Sequence, residues 1–196
     1  MNKSILTLSI LFLLTANFAY SQDMSDEEVD DKGFYLGASL MGTSFDIPDF
    51  FDDKHTGGGI ALKAGYNFST NFAIFANLDG SNMSPDDGDD YTLAHFDLGV
   101  EGRLGDSSSS FRPYGRASFL GVAATFESEE GDAEISGGGF GAGVGLYYFV
   151  NNHFAFEVGY THSWININEV SFGSISVEIE ETANSGRLGL GFSYHF

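Results

Sequence analysis

Residues 187–196 read RLGLGFSYHF. Side chains of an extended chain alternate between two faces. Leu188, Leu190, Phe192, Tyr194 and Phe196 therefore share one face, while Arg187, Gly189, Gly191, Ser193 and His195 share the other. One row is large and apolar, the other small or polar. Whether that pattern belongs to a single amphipathic strand or to a whole architecture decides the fold.

The same alternation recurs along the chain. Residues 33–43 set Phe34, Leu36, Ala38 and Leu40 against Tyr35, Gly37, Ser39 and Met41, and residues 60–68 set Ile60, Leu62, Ala64, Tyr66 and Phe68 against Ala61, Lys63, Gly65 and Asn67. Further segments of this kind cover 72–79, 94–104, 140–148 and 154–161. Residues 111–126 are less regular, because Leu120 and Val122 continue the parity of Arg112, Tyr114, Arg116 and Ser118. A bulge near Leu120 is expected to repair this. The connectors alternate long and short, the short ones including STN at 69–71 and a two-residue NN turn at 151–152. The last long connector, 166–184, alternates in INI and SISVEIE and is expected to extend two strands as a projecting hairpin. Eight such segments, each near the roughly 9 to 11 residues that a tilted strand needs to cross a bilayer, predict an all-β fold: an eight-stranded antiparallel up-and-down transmembrane β-barrel.

The polar face sets the orientation. It holds mostly Gly, Ser, Thr and Asn with a few charges, whereas a water-facing exterior would carry many Lys and Glu. Small residues suit the lining of a narrow barrel, so the apolar rows are expected to face lipid. Phe34, Phe68, Phe72, Tyr148, Phe154 and Phe196 all fall on the apolar face at the short-turn end, as an interfacial aromatic girdle requires. Closure is required too, because an open sheet edge in hydrocarbon leaves unpaired backbone groups. The last strand is therefore expected to pair with the first.

Residues 1–21 carry Lys3, an apolar run from Ile5 to Leu14, and small residues Ala19 and Ser21, and read as a signal peptide. The acidic stretch 22–32 reads as a disordered leader, leaving 33–196 as the barrel domain. The 28 acidic residues against 8 basic ones exclude a nucleic-acid partner, since phosphates would be repelled. With no cysteine there is no disulfide framework and no lipoprotein anchor.

This combination resembles the small bacterial outer-membrane barrels of the OmpA/OmpX/OmpW-like group. The resemblance implies residence in the bacterial outer membrane as a monomer, with outer-membrane lipid and lipopolysaccharide as surroundings and no cofactor. It also implies that Leu190, Phe192, Tyr194 and Phe196 form the signal read by the barrel-assembly machinery.

Asp97, Arg112 and six further charges fall on the lumen face: Lys63, Glu101, Arg103, Arg116, Glu157 and Arg187. Unpaired charge in so narrow a space is costly, so a lumen ion network is expected. Lys63, Glu101, Arg116 and Glu157 are expected at similar heights. Catalysis is not expected: His162 and Ser163 are adjacent and so face opposite ways, while His95 and Asp97 share a face without an evident serine. His153 and His195 suggest no further partner. SPDDGDD at 84–90 offers carboxylates for a weak Ca²⁺ or Mg²⁺ site but lacks the spacing of an EF-hand loop, so it reads as a solvated loop. The function expected is a non-enzymatic barrel with a plugged polar lumen and long acidic extracellular loops, serving envelope integrity or surface interaction. The alternative is a narrow porin-like channel for ions or small hydrophobic molecules.

Overall fold

The computed structural model describes residues 32–48, 54–85, 90–106, 108–126, 133–172 and 175–196. The signal, most of the leader and the carboxylates at 86–89 lie outside the described residues. The strands are β1 (Gly33–Asp46), β2 (His55–Ser69), β3 (Phe72–Ser84), β4 (Tyr91–Arg103), β5 (Phe111–Phe126), β6 (Ala133–Phe149), β7 (Phe154–Phe172) and β8 (Ile175–His195). Each pairs antiparallel with its neighbours, and β1 pairs with β8 from Tyr35↔His195 to Asp46↔Asn184, closing the barrel. Closure satisfies every edge within the bilayer.

The short end is tied by side chains. Asn71 donates from Nδ2 to the carbonyls of Arg103 at 3.0 Å and Gly105 at 2.7 Å, linking the β2–β3 turn to the β4–β5 turn. The turn at 150–153 is longer than two residues. Asn151 Oδ1 caps it by accepting from the amides of His153 and Phe154, the local bond for which Asn is favoured in turns.

Both rows of β5 depart from the expectation of a bulge near Leu120. Its register is unbroken against β4 from Tyr114 to Thr125 and against β6 from Phe111 to Phe126, and Leu120 and Val122 point inward, 6 % and 5 % exposed. The parity was regular; the chemistry of the lumen changes instead. Irregularities occur elsewhere, between Asn67 and Ser69, Ser136 and Gly137, and Ile167 and Glu169.

That change of chemistry runs round the whole barrel. In the short-turn half the exterior is apolar, with Leu40, Ile60, Leu78, Phe96, Phe119 and Leu188 exposed, while the interior is polar. In the long-loop half the outward positions are Ser44, Thr56, Asn82, Thr92, Thr125 and Thr182. There the interior is packed with Phe45, Ile47, Leu93, Leu120, Val122 and Ile165. A barrel apolar outside and polar inside thus becomes, along the same strands, a barrel polar outside and apolar inside. The first arrangement suits lipid and the second suits water. The crossover passes through Gly42, Gly58, Gly80, Gly121 and Gly138. Below it, Ile60 to Phe68 rises roughly 20 Å at about 3.3 Å per residue and about 40° of tilt, most of the roughly 25 Å apolar band of such barrels.

The girdle residues Phe34, Phe68, Phe72 and Phe196 are exposed on the outer face, and Tyr148 and Phe154 are half-buried. They pack as linked ring pairs: Phe34 to Tyr66, Tyr66 to Phe68 and Phe68 to Phe72, at centroid distances of 4.9, 5.0 and 5.9 Å.

Candidate functional site

The lumen is filled in layers. At the short-turn floor Tyr35 stacks on His195 at 5.2 Å, and Arg112 lies over the Phe149 ring at 4.4 Å. Three inward aromatics each lie across a cross-strand glycine: Tyr35 over Gly65, Phe75 over Gly99 and Tyr114 over Gly145. A Cβ at Gly65 or Gly145 would overlap the facing tyrosine ring, so the glycines make the space that the rings fill.

Above the floor sits the first ionic layer. Lys63 Nζ bridges to Glu157 Oε2 at 2.5 Å and donates to the Tyr147 hydroxyl at 2.6 Å. Tyr114 donates to the other Glu157 oxygen at 2.7 Å, and Arg116 approaches that oxygen at 3.6 Å while donating to Thr161. Glu101 pairs with Arg103 at 2.9 Å and accepts from Tyr147 at 3.3 Å. The Tyr147 hydroxyl thereby joins the Lys63–Glu157 and Glu101–Arg103 pairs into one network, and each carboxylate keeps a partner out of water.

A second ionic layer lies nearer the long loops. Arg187 spans Asp79 at 2.6 Å and both oxygens of Asp97 at 2.7 and 2.9 Å, and it also donates to Ser163 at 3.0 Å. His95 Nδ1 meets Asp79 Oδ2 at 2.9 Å, and Ser118 donates to Asp97. Between the layers is a cavity of about 40 Å³ lined in part by Lys63, Asn77, Asp97, Arg116, Glu157 and Arg187. Its size suits a few waters. Over the upper layer closes the apolar cluster of Phe45, Ile47, Met83, Tyr91, Leu93, Leu120 and their neighbours.

The structure thus brings Lys63, Arg116 and Glu157 together and reaches Glu101 and Arg103 through Tyr147. Arg187 stands apart in the upper layer. His95 meets Asp79 rather than Asp97, because Asp79 and His95 are direct cross-strand partners. His162 faces outward against Trp164 at 4.6 Å, while Ser163 faces in. His153 Nδ1 lies 2.9 Å from the His195 carbonyl, and His195 Nδ1 accepts from Asn67. Among the described residues no histidine–acid pair has a serine placed as a nucleophile, and no group of acidic or histidine residues is set to hold a metal ion. Leu190, Phe192, Tyr194 and Phe196 form an outward row on β8, each at least 44 % exposed. Sequence reasoning missed Asp79, Tyr114, Tyr147 and the apolar cap.

The model of the outer membrane protein β-barrel domain family matches residues 6–196. The chain belongs to that family. Its location is the bacterial outer membrane, as the family's fold and this lipid-facing exterior require. Among solved structures, the family fold is shared with Neisserial surface protein A at 18 % identity and a TM-score of 0.69, covering 84 % of this chain and 98 % of that one. It is shared also with Ail, the attachment invasion locus protein of Yersinia pestis, at 17 % identity and TM-score 0.56, covering 84 % and 99 %. The outer membrane protein OprG of Pseudomonas aeruginosa matches at 15 % identity and TM-score 0.56, covering 87 % and 99 %. No curated protein sequence matches the chain. At these identities the likeness is one of fold.

At the loop end the β7–β8 hairpin is prominent, with only residues 173–174 between its strands. On its outer side Ser171 donates to Glu169 at 2.8 Å and meets Ser176 Oγ at 2.9 Å. The Ser171 hydroxyl, and after it that of Ser176, hold the Glu169 carboxyl below the usual carboxylate range.

Proposed function

We propose that this barrel is a non-enzymatic outer-membrane protein with a closed lumen, whose role is envelope integrity or surface interaction through its acidic extracellular end. The observation that carries the reading is the stacking of two ion-paired layers beneath an apolar cap. A hydrated ion moving through would have to break buried pairs, each of which costs several kcal/mol once one partner is lost, and then shed water at the cap. Lipopolysaccharide surrounds the outer half of the barrel, and the C-terminal row from Leu190 to Phe196 suits recognition by the barrel-assembly machinery. The protein acts as a monomer.

The test is conductance of the purified protein in planar bilayers. Closure predicts no steady current above baseline, and a large, stable conductance overturns it. The apolar character of the mouth favours one other reading, a narrow path for small hydrophobic molecules. Uptake of such a solute by cells expressing the barrel, at a rate above cells lacking it, would favour that path instead.

A further inference from the structure

The two rims of the lipid-facing band differ in their aromatics. At the short-turn rim they come from all round the barrel, with Phe34, Phe72, Phe111, Tyr148 and Phe196 outward, as an interfacial girdle does. At the long-loop rim they gather in one sector. The outward row just below the crossover carries Leu40, Ile60 and Leu78 on β1 to β3, but Phe119, Phe140 and Trp164 on β5 to β7. Trp164 lies one outward position below Asn166, the cross-strand partner of Gly138, which places it where the exterior turns from apolar to polar.

Trp164 is held by its neighbours. Phe140 stacks on it at a centroid distance of 5.1 Å with the planes 27° apart, and His162 meets it edge-on at 4.6 Å. The indole remains 42 % exposed. Beside it stand two uncharged amides, Asn166 on the same strand and Asn184, its cross-strand partner on β8. The next outward position of β8 is Gly186, where a Cβ would lie 2.9 Å from both the Ser44 and the Tyr160 hydroxyl oxygens, so those two groups converge over the glycine. Cations are missing from this exterior: the basic residues of the strands, Lys63, Arg103, Arg112, Arg116 and Arg187, all point into the lumen.

We propose that the face of β6 to β8 centred on Trp164 docks the sugar ring of an outer-leaflet glycolipid and reads the sugar, not its phosphate. The carbon-bound hydrogens on the face of a pyranose carry slight positive charge and pack on the negative face of an aromatic ring. The hydroxyls around that face both donate and accept, as the amides of Asn166 and Asn184 do. A phosphate at this level would find no cation and would meet Asp46, the partner of Asn184 on β1, so charge does not draw it in. A girdle that only anchors the barrel needs neither the one-sided placement nor the flanking amides. The inference rests on the outer-leaflet lipid surroundings proposed above and not on closure of the lumen, so a conducting barrel would leave it standing.

Trp164 is the only tryptophan in the chain, so its emission reports on the site directly. The experiment places the purified full barrel in phosphatidylcholine vesicles doped with lipid A, with dephosphorylated lipid A or with phosphatidylglycerol. The expected result is a saturable shift in emission and shielding from acrylamide with both forms of lipid A, the dephosphorylated form binding at least as tightly, and no change with phosphatidylglycerol. An N166A/N184A variant, altered only at outward positions, should bind about tenfold more weakly, the sum expected for losing two exposed hydrogen bonds. Tighter binding of lipid A than of its dephosphorylated form, an equal response to phosphatidylglycerol, no saturable response, or unchanged affinity in the variant overturns the proposal. The lipid comparison uses the unaltered barrel and so does not depend on the variant folding. Phosphatidylcholine brominated near its ester groups should quench Trp164 in every vesicle. Quenching without a sugar response overturns the docking site alone, whereas absent quenching overturns the membrane placement with it.

Discussion

Arg187 is held by two carboxylates, those of Asp79 and Asp97. Replacing it with Met leaves Asp79 and Asp97 facing each other across β3 and β4 without their shared cation. Losing one partner of a buried pair typically costs about 3 to 5 kcal/mol. R187M should therefore lower the temperature at which unboiled samples lose their folded gel mobility. Adding D79N and D97N to R187M should recover most of the loss, and no recovery would show that Arg187 acts through packing alone. Gly65 sits at the other extreme, as empty space beneath the Tyr35 ring. G65V drives its side chain against both that ring and the Ile74 carbonyl oxygen, a cost of roughly 1 to 3 kcal/mol for an overpacked site, and Y35A in the same chain should relieve only the part due to the ring. These pairings were only half legible. Period-two parity places Lys63, Glu101, Arg116 and Glu157 on the lumen face, but which charge meets which depends on register across strands. Asp79 and His95 lie 16 positions apart in the chain and become neighbours only when β3 and β4 pair.

At the scale of the element, β5 shows why a correct rule gave a wrong expectation. Its alternation continues through Leu120 and Val122 without a slip, and the apolar residues there face a dry interior instead of lipid. An alternating strand reports which residues share a face; it does not report which solvent that face meets. The eight strands, the closing β1–β8 pair and the hairpin at 166–184 were legible because each depends on parity alone. The cap was not, because its residues are scattered over seven strands and no single segment carries its signature. L120A should cost about 2 to 5 kcal/mol, the range for truncating a buried leucine, whereas L98A on the lipid face should cost far less. Equal costs, read from urea unfolding in lipid vesicles, would mean that Leu120 is not buried. Shortening the hairpin by joining Asn168 to Ile179 with a tight turn removes strand that lies beyond the last β1–β8 pair and spares Ile167 and Ile179 of the cap. Such a chain should still fold and keep its gel mobility, and failure to fold would place the hairpin within the barrel's stabilising core.

For the whole molecule, the reversal of inside and outside fixes where the membrane ends, with no lipid in view. Solvent preference acts on each face separately: lipid tolerates apolar side chains outside and leaves polar groups to satisfy one another within, while water demands the converse. A sheet that obeys both along one set of strands must cross the interface where the two patterns exchange, near Gly42, Gly58 and Gly80. An outward arginine then serves as a depth gauge. At the midplane of a barrel it costs about 2 to 4 kcal/mol, and near the interface about 0 to 1. Leu62 is outward and 59 % exposed below the crossover, and Thr56 is outward above it on the same strand. L62R should lose stability on the larger scale and T56R should scarcely change, both measured by reversible unfolding in phospholipid vesicles. If the two variants cost the same, the crossover does not mark the membrane boundary. The upper barrel would then stand in lipid with its polar exterior unsatisfied, which the argument from backbone and side-chain solvation forbids.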